Sequence, residues 1–188
     1  MPDDFDRDLH LPGSGAPRAA AVVLHPHPGM GGDRHHPLVT AVATSLANVG
    51  IAALRLDLRD PDVDAAASAL TAAAVELRAQ LDVDRLVLVG YSWGSVVTAE
   101  ACPDGRVARV LVAPPVTLLG GRLPSGEAPT LVLVPAHDQY GPPDAVEALL
   151  GGRPGTEIEV VPGADHFLVG AVARIATRTT EWVDGLLG

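Results

Sequence analysis

The chain has 188 residues, of which 47% are hydrophobic, 19% charged and 3% aromatic, and its net charge is −10. That length suits a single domain over residues 1–188 with an aliphatic core, and the acidic balance argues against nucleic acid as a partner, because it repels phosphate. The single Cys102 excludes an internal disulfide framework. It also fits a reducing compartment. The acidic stretch Met1 to Asp6 lacks a signal-peptide pattern, and no apolar run is long enough to span a membrane. A cytoplasmic, membrane-free protein is the expectation.

In chain order, Phe5 to Leu11 can form an edge strand, with Pro12-Gly13-Ser14-Gly15 as the turn after it. Ala19 to Leu24 reads as a buried strand that runs into the loop His25-Pro26-His27-Pro28-Gly29-Met30-Gly31-Gly32-Asp33. Pro37 opens a helix as its first residue. Leu38, Val42, Leu46 and Val49 follow at near-helical spacing, and Gly50 is a natural stop. Ile51 to Leu56 is the next strand. After the charged loop at 57–62, Asp64 is placed to cap a helix reaching about Leu81.

The apolar run Arg85 to Val89 predicts another strand, and a helix follows Gly94 as far as Pro103-Asp104-Gly105. Further strands are expected at Val107 to Ala113, Thr130 to Val134 and Glu157 to Val161. Helices are expected at Pro143 to Leu150 and from Leu168 to Leu187. Alternating strands and helices with near-continuous apolar strands predict a parallel sheet covered on both faces. Sites in such sheets lie beyond the carboxyl ends of the strands, where every unusual loop of this chain would collect.

Between the fourth strand and its helix stands Gly90-Tyr91-Ser92-Trp93-Gly94. A serine fits a sharp strand-to-helix turn only if its neighbours leave room, and glycines two before and two after supply it. A serine hydroxyl is a poor nucleophile at neutral pH and needs a base. A largely neutral imidazole suits that role, and a carboxylate must then orient and stabilise the imidazolium. His166 follows the last strand and Asp138 the strand before it, giving the order Ser92, Asp138, His166. Asp144 belongs at a helix start, and Asp165 would point away from the site if its neighbour His166 points in.

A tetrahedral intermediate also needs two donors for its oxyanion. The backbone N–H of Trp93 is one candidate. The other should come from the loop after Leu24, where Pro26 and Pro28 have no N–H to give. That leaves His27, acting through its backbone. His25, His27, His35 and His36 beside Asp33 invite a metal reading, but the spacing matches no common zinc pattern, so no metal or other cofactor is expected. Cys102 reads as a small buried hydrophobe. Met30, Tyr140 and Phe167 are candidate apolar walls for substrate, as is Trp93, although each could equally be core.

Taken together, these residues resemble the α/β-hydrolase superfamily over almost the whole chain. The His25-Pro26-His27-Pro28 loop with Gly31-Gly32 is similar to that of small, lidless bacterial members carrying His-Pro-His-Pro in the oxyanion position. The segments Leu54 to Arg59, Val112-Ala113-Pro114-Pro115 and Gly163 to Phe167 resemble that group too. The resemblance implies the minimal α/β-hydrolase fold without a cap domain and places nucleophile, acid and base on Ser92, Asp138 and His166. It departs after Arg59, where Asp60-Pro61-Asp62-Val63-Asp64 replaces the usual Gly- and Ser-rich loop. The function expected is hydrolysis of an ester or related acyl bond in a small-molecule substrate. The same triad also allows acyl transfer or thioester cleavage, and the scaffold alone would allow a non-catalytic binding protein. The natural substrate and the oligomeric state are not encoded legibly.

Overall fold

The computed structural model describes residues 6–118 and 128–188. Seven strands form one sheet: β1 (Arg7–His10), β2 (Ala19–Leu24), β3 (Ile51–Leu56), β4 (Arg85–Tyr91), β5 (Arg106–Val112), β6 (Thr130–His137) and β7 (Thr156–Asp165). Their spatial order is β1-β3-β2-β4-β5-β6-β7, with β1 antiparallel to β3 and the other pairs parallel. The connecting helices are α1 (Pro37–Asn48), α2 (Val63–Leu81), α3 (Trp93–Glu100), α4 (Pro143–Leu150) and α5 (Val172–Leu187).

Strand periodicity decides what each face buries. Ala19, Ala21 and Val23 of β2 join Val87 and Val89 of β4 in a cluster with Val39 and Val42 of α1 and Ile175 and Val183 of α5. The alternate residues Ala20, Val22 and Leu24 face α2 and α3 through Leu70, Leu77 and Val97. A third cluster seats Val146 and Leu150 of α4 on Val132 and Val134 of β6. Each fully buried Val or Leu contributes about 1.5–3 kcal/mol, so these aliphatic layers fix the sheet independently of its loops.

Several boundaries differ from the sequence expectation, for identifiable reasons. The cap of α2 is Asp62, whose Oδ1 accepts from Ala65 N at 2.9 Å, while Asp64 lies inside the first turn. Asp60 accepts from Asp62 N and turns the chain there, two residues earlier than expected. The β5 strand ends at Val112 because Ala113 has φ of 48° and leaves the ladder. The last helix starts at Val172 because Leu168 and Gly170 take positive φ of 60° and 73°. The β7 strand runs on to Asp165 across a register shift opposite Pro135 and His137. Of the expected first strand, Arg7–His10 pairs with β3; Phe5 lies outside the described residues. Cys102 is exposed, not buried, because the chain past α3 is extended, with Ala101 and Pro103 turned inward and Cys102 between them turned out. No helix among the described residues is long and apolar enough to cross a membrane.

Candidate active site

Loops after strands β2, β4, β5, β6 and β7 meet at the carboxyl edge of the sheet. The turn after β4 is the tightest. Ser92 sits at φ 54° and ψ −120°, a backbone that side chains rarely adopt and that costs about 1–3 kcal/mol unless its surroundings impose it. A Cβ on Gly90 would lie 2.1 Å from Gly94 O, and one on Gly94 would lie 2.5 Å from His25 O. The strand therefore crosses the helix at a distance only glycine permits. The turn is held by Ser92 N donating to Val112 O at 2.9 Å and Ser95 Oγ donating to Ser92 O at 2.6 Å.

Ser92, His166 and Asp138 come together at this edge. Ser92 Oγ lies 2.9 Å from His166 Nε2, and His166 Nδ1 lies 2.8 Å from Asp138 Oδ2 and 3.0 Å from Oδ1. A carboxylate only accepts, so Nδ1 carries the proton and Nε2 is free to take one from the serine. The Asp138 side chain is wholly buried and that of His166 nearly so. Asp138 Oδ1 also accepts from the backbone N–H groups of Tyr140 at 2.8 Å and Gly141 at 3.0 Å. Burial of this carboxylate is thus compensated on every side. A Cβ on Gly141 would fall 2.0 Å from Pro114 O, and Tyr140 O accepts from both the N–H and the hydroxyl of Thr117. Asp144 lies in the first turn of α4, and Asp165 caps its own turn by accepting from Phe167 N.

Tyr91 plays a part that its position in the sequence does not announce. Its buried hydroxyl donates to His166 O at 2.8 Å, which anchors the backbone of the histidine. Burial, then the charges of Asp138 and Asp165, push its pKa well up, so it stays a neutral donor.

The histidine-rich loop is explained by backbone hydrogen bonding. His27 Nδ1 accepts from Gly29 N at the head of a single 3-10 turn over Pro28–Met30, and His36 Nδ1 accepts from Leu38 N at the head of α1. Each stands at an N-cap with proline next, where proline loses no needed donor. His25 is fully buried, and both of its ring nitrogens are engaged, with Pro26 O at 2.6 Å and Leu58 N at 3.0 Å. Among the described residues, no three His, Cys, Asp or Glu side chains converge as metal ligands. Arg34 follows the loop and ties it to β3. Its N–H and guanidinium bond Asp57, and Asp8 bridges Arg34 and Arg55.

The backbone N–H groups of His27 and Trp93 meet no acceptor among the described residues, and both residues line the cleft beside Ser92. That cleft holds about 310 Å³. Met30 (81% exposed) and Phe167 (57%) stand on its rim, and Tyr140 sets its ring edge-on to His166. Leu118 and Pro115 add walls that the sequence reading did not name. Trp93 lines the cleft but is 2% exposed and belongs to the core, its indole N–H donating to Pro61 O at 3.1 Å. The short 57–62 loop thus buttresses Trp93 from behind. Among the described residues, no Asp, Glu or Arg side chain lines the cleft. A larger hollow of about 740 Å³ lies at the amino ends of β4 and β5, beside Arg85, Arg106 and Arg109. It holds none of the residues gathered around Ser92.

Solved structures share this architecture closely. A serine hydrolase homologue from Coxiella burnetii superposes with a TM-score of 0.83 at 24% identity, covering 94% of this chain and 90% of that one. A lidless serine hydrolase from Xanthomonas campestris gives 0.82 at 24% identity, over 94% of this chain and 87% of that one. Est1E from Butyrivibrio proteoclasticus, solved with ferulic acid bound, gives 0.80 at 14% identity over 95% and 94%. No protein-family model matches the chain, and no curated protein does. The fold is the α/β-hydrolase fold in its form without a cap domain.

Proposed function

We propose that this protein is a serine hydrolase that cleaves an ester or related acyl bond through an acyl-enzyme intermediate. Ser92 Oγ attacks the acyl carbonyl while His166 Nε2 takes the hydroxyl proton, and Asp138 stabilises the imidazolium that results. The backbone N–H groups of His27 and Trp93 receive the developing oxyanion. As the tetrahedral intermediate collapses, the imidazolium gives its proton to the departing oxygen and leaves Ser92 acylated. Water, deprotonated by His166, then attacks the acyl group and frees Ser92 with release of the acid.

The observation that carries this reading is the continuous hydrogen-bond chain from Ser92 Oγ through His166 to the buried Asp138, at 2.9 and 2.8 Å. Among the described residues an ion placed in the cleft would lose water and gain no charged partner, which favours small, uncharged substrates. Met30, Tyr140 and Phe167 would contact the acyl or alcohol portion. Two of the similar solved structures are described as esterases, one from Rhodothermus marinus and one from Thermogutta terrifontis phosphoramylated by tabun, and that agrees with an acyl-bond substrate.

Hydrolysis of p-nitrophenyl acetate and butyrate by the wild type and Ser92→Ala tests the proposal. A loss of about 10³-fold or more in the variant is expected, together with covalent labelling of Ser92 by a fluorophosphonate. Equal rates in the two proteins and an unlabelled Ser92 would favour a binding protein on the same scaffold.

A further inference from the structure

We propose that His25 is a positioning residue for the oxyanion hole, acting on the single peptide bond whose N–H is donated by His27. The inference rests on the serine-hydrolase reading above and assigns a task to a buried imidazole that the triad does not use. The carbonyl of Pro26 and the N–H of His27 belong to one peptide unit. Among the described residues there is no cis bond, so that carbonyl and that N–H point in opposite directions. Whatever grips the Pro26 oxygen therefore aims the His27 N–H.

His25 grips it. Leu58 N–H donates to Nε2 at 3.0 Å, so Nε2 is the unprotonated nitrogen. Nδ1 must then carry the proton and donate it to Pro26 O, 2.6 Å away. This neutral form suits the site, since His25 is fully buried and burial, the leading cause, lowers its pKa. The bond closes on the residue next along the chain and so adds almost nothing to long-range packing. What it does is fix the rotation of one peptide plane and polarise it, which strengthens the N–H on the far side. Gly32 crowds the same carbonyl, since a Cβ there would lie 2.1 Å from Pro26 O. The ring itself is stacked on Trp93, whose own N–H is the second donor, at 5.8 Å and 22°. Both halves of the oxyanion hole thus lean on His25.

Two bonds with different purposes can be separated. In His25→Asn the carboxamide nitrogen takes about the place of Nδ1 and can still donate to Pro26 O, while the bond to Leu58 is lost. In His25→Gln the carboxamide oxygen reaches about the place of Nε2 and keeps the Leu58 bond, while the Pro26 bond is lost. The expected result is that His25→Asn retains kcat within about tenfold of wild type, whereas His25→Gln loses about 10²-fold in kcat, with KM little changed in both. A merely structural histidine would give the reverse order, with His25→Gln the better enzyme; that order overturns the proposal, as do equal kcat values. Should either variant fail to fold, imidazole ¹⁵N spectra of the wild type decide the matter. Protonated Nδ1 and bare Nε2 at His25 support the assignment, and protonated Nε2 overturns it. Wild-type protein that neither turns over ester nor labels at Ser92 would sink the hydrolase reading itself, with this proposal. Wild-type turnover with the reversed variant order would sink the His25 role alone.

Discussion

Replacing Asp138 by Asn separates the geometry of the site from its electrostatics. The carboxylate accepts three sets of bonds: from Tyr140 N, from Gly141 N and from His166 Nδ1. An Asn oxygen in the Oδ1 position keeps the two backbone bonds, so the loop stays in place. Its NH₂ then faces His166, and that ring can meet it only by accepting at Nδ1. The proton moves to Nε2 and confronts Ser92 Oγ, 2.9 Å away, as a donor rather than an acceptor. A base in the wrong tautomer cannot take the serine proton, and the imidazolium loses its counter-charge. The expected fall in kcat is about 10⁴-fold, or roughly 5 kcal/mol of barrier. Stability should fall far less, by about 1–2 kcal/mol for one charge-assisted bond made neutral, which is a drop of roughly 2–8 °C in Tm for a chain of this size. Steady-state hydrolysis of p-nitrophenyl butyrate and a calorimetric melt of the same preparation read both quantities. A kcat within tenfold of wild type, at an intact melt, would refute the assignment of Asp138.

Two further outcomes follow from groups around the site. Tyr91→Phe removes the donor to His166 O and leaves that carbonyl buried without it, which should cost about 1–3 kcal/mol of stability. A several-fold loss of kcat should accompany it through a looser His166, and unchanged melting and turnover would show that the hydroxyl is idle. His10, His25 and His36 are all held below the ordinary imidazole value, with burial the leading cause in each. The unfolded chain binds protons that these folded imidazoles refuse, so their contribution is complete above the unfolded pKa of about 6.5 and declines as pH falls through it. Tm should therefore be lower at pH 5.5 than at pH 7.5. His36→Asn keeps a cap acceptor for Leu38 N and should narrow that gap; a gap that stays the same would clear His36 of a role in it.

The sheet was legible because β2, β3 and β4 are short, nearly uninterrupted apolar runs, and burial on both faces demands such runs. Ser92 was legible because Gly90 and Gly94 mark a backbone approach that tolerates no Cβ. The helix start at Asp62 was misplaced by two residues, since Asp62 and Asp64 are chemically identical caps and only the turn through Asp60 chooses between them. Residue type alone places Cys102 in the core, but it carries no information on which way a side chain turns in the extended stretch after α3. The contacts of Tyr91 and His25 escaped for another reason. Their partners are carbonyl and N–H groups of His166, Pro26 and Leu58, and a backbone group has no signature in the sequence. Met30, Tyr140 and Phe167 could be named as walls, whereas Leu118 and Pro115 enter the cleft only once the turn after β5 is folded.

The groups that meet at the cleft are spaced by the sheet, not by the loops that carry them. Ser92 follows β4 and Asp138 follows β6, two ladder steps or about 10 Å across, and His166 comes back from β7, one step further out. Rim residues such as Met30, Leu118 and Phe167 set none of these distances. If the chain is the hydrolase proposed above, selection acting on the rim could therefore remake substrate preference in small mutational steps while leaving turnover intact. A chain built this way is readily diversified: its selectivity and its chemistry are inherited on different parts of the molecule.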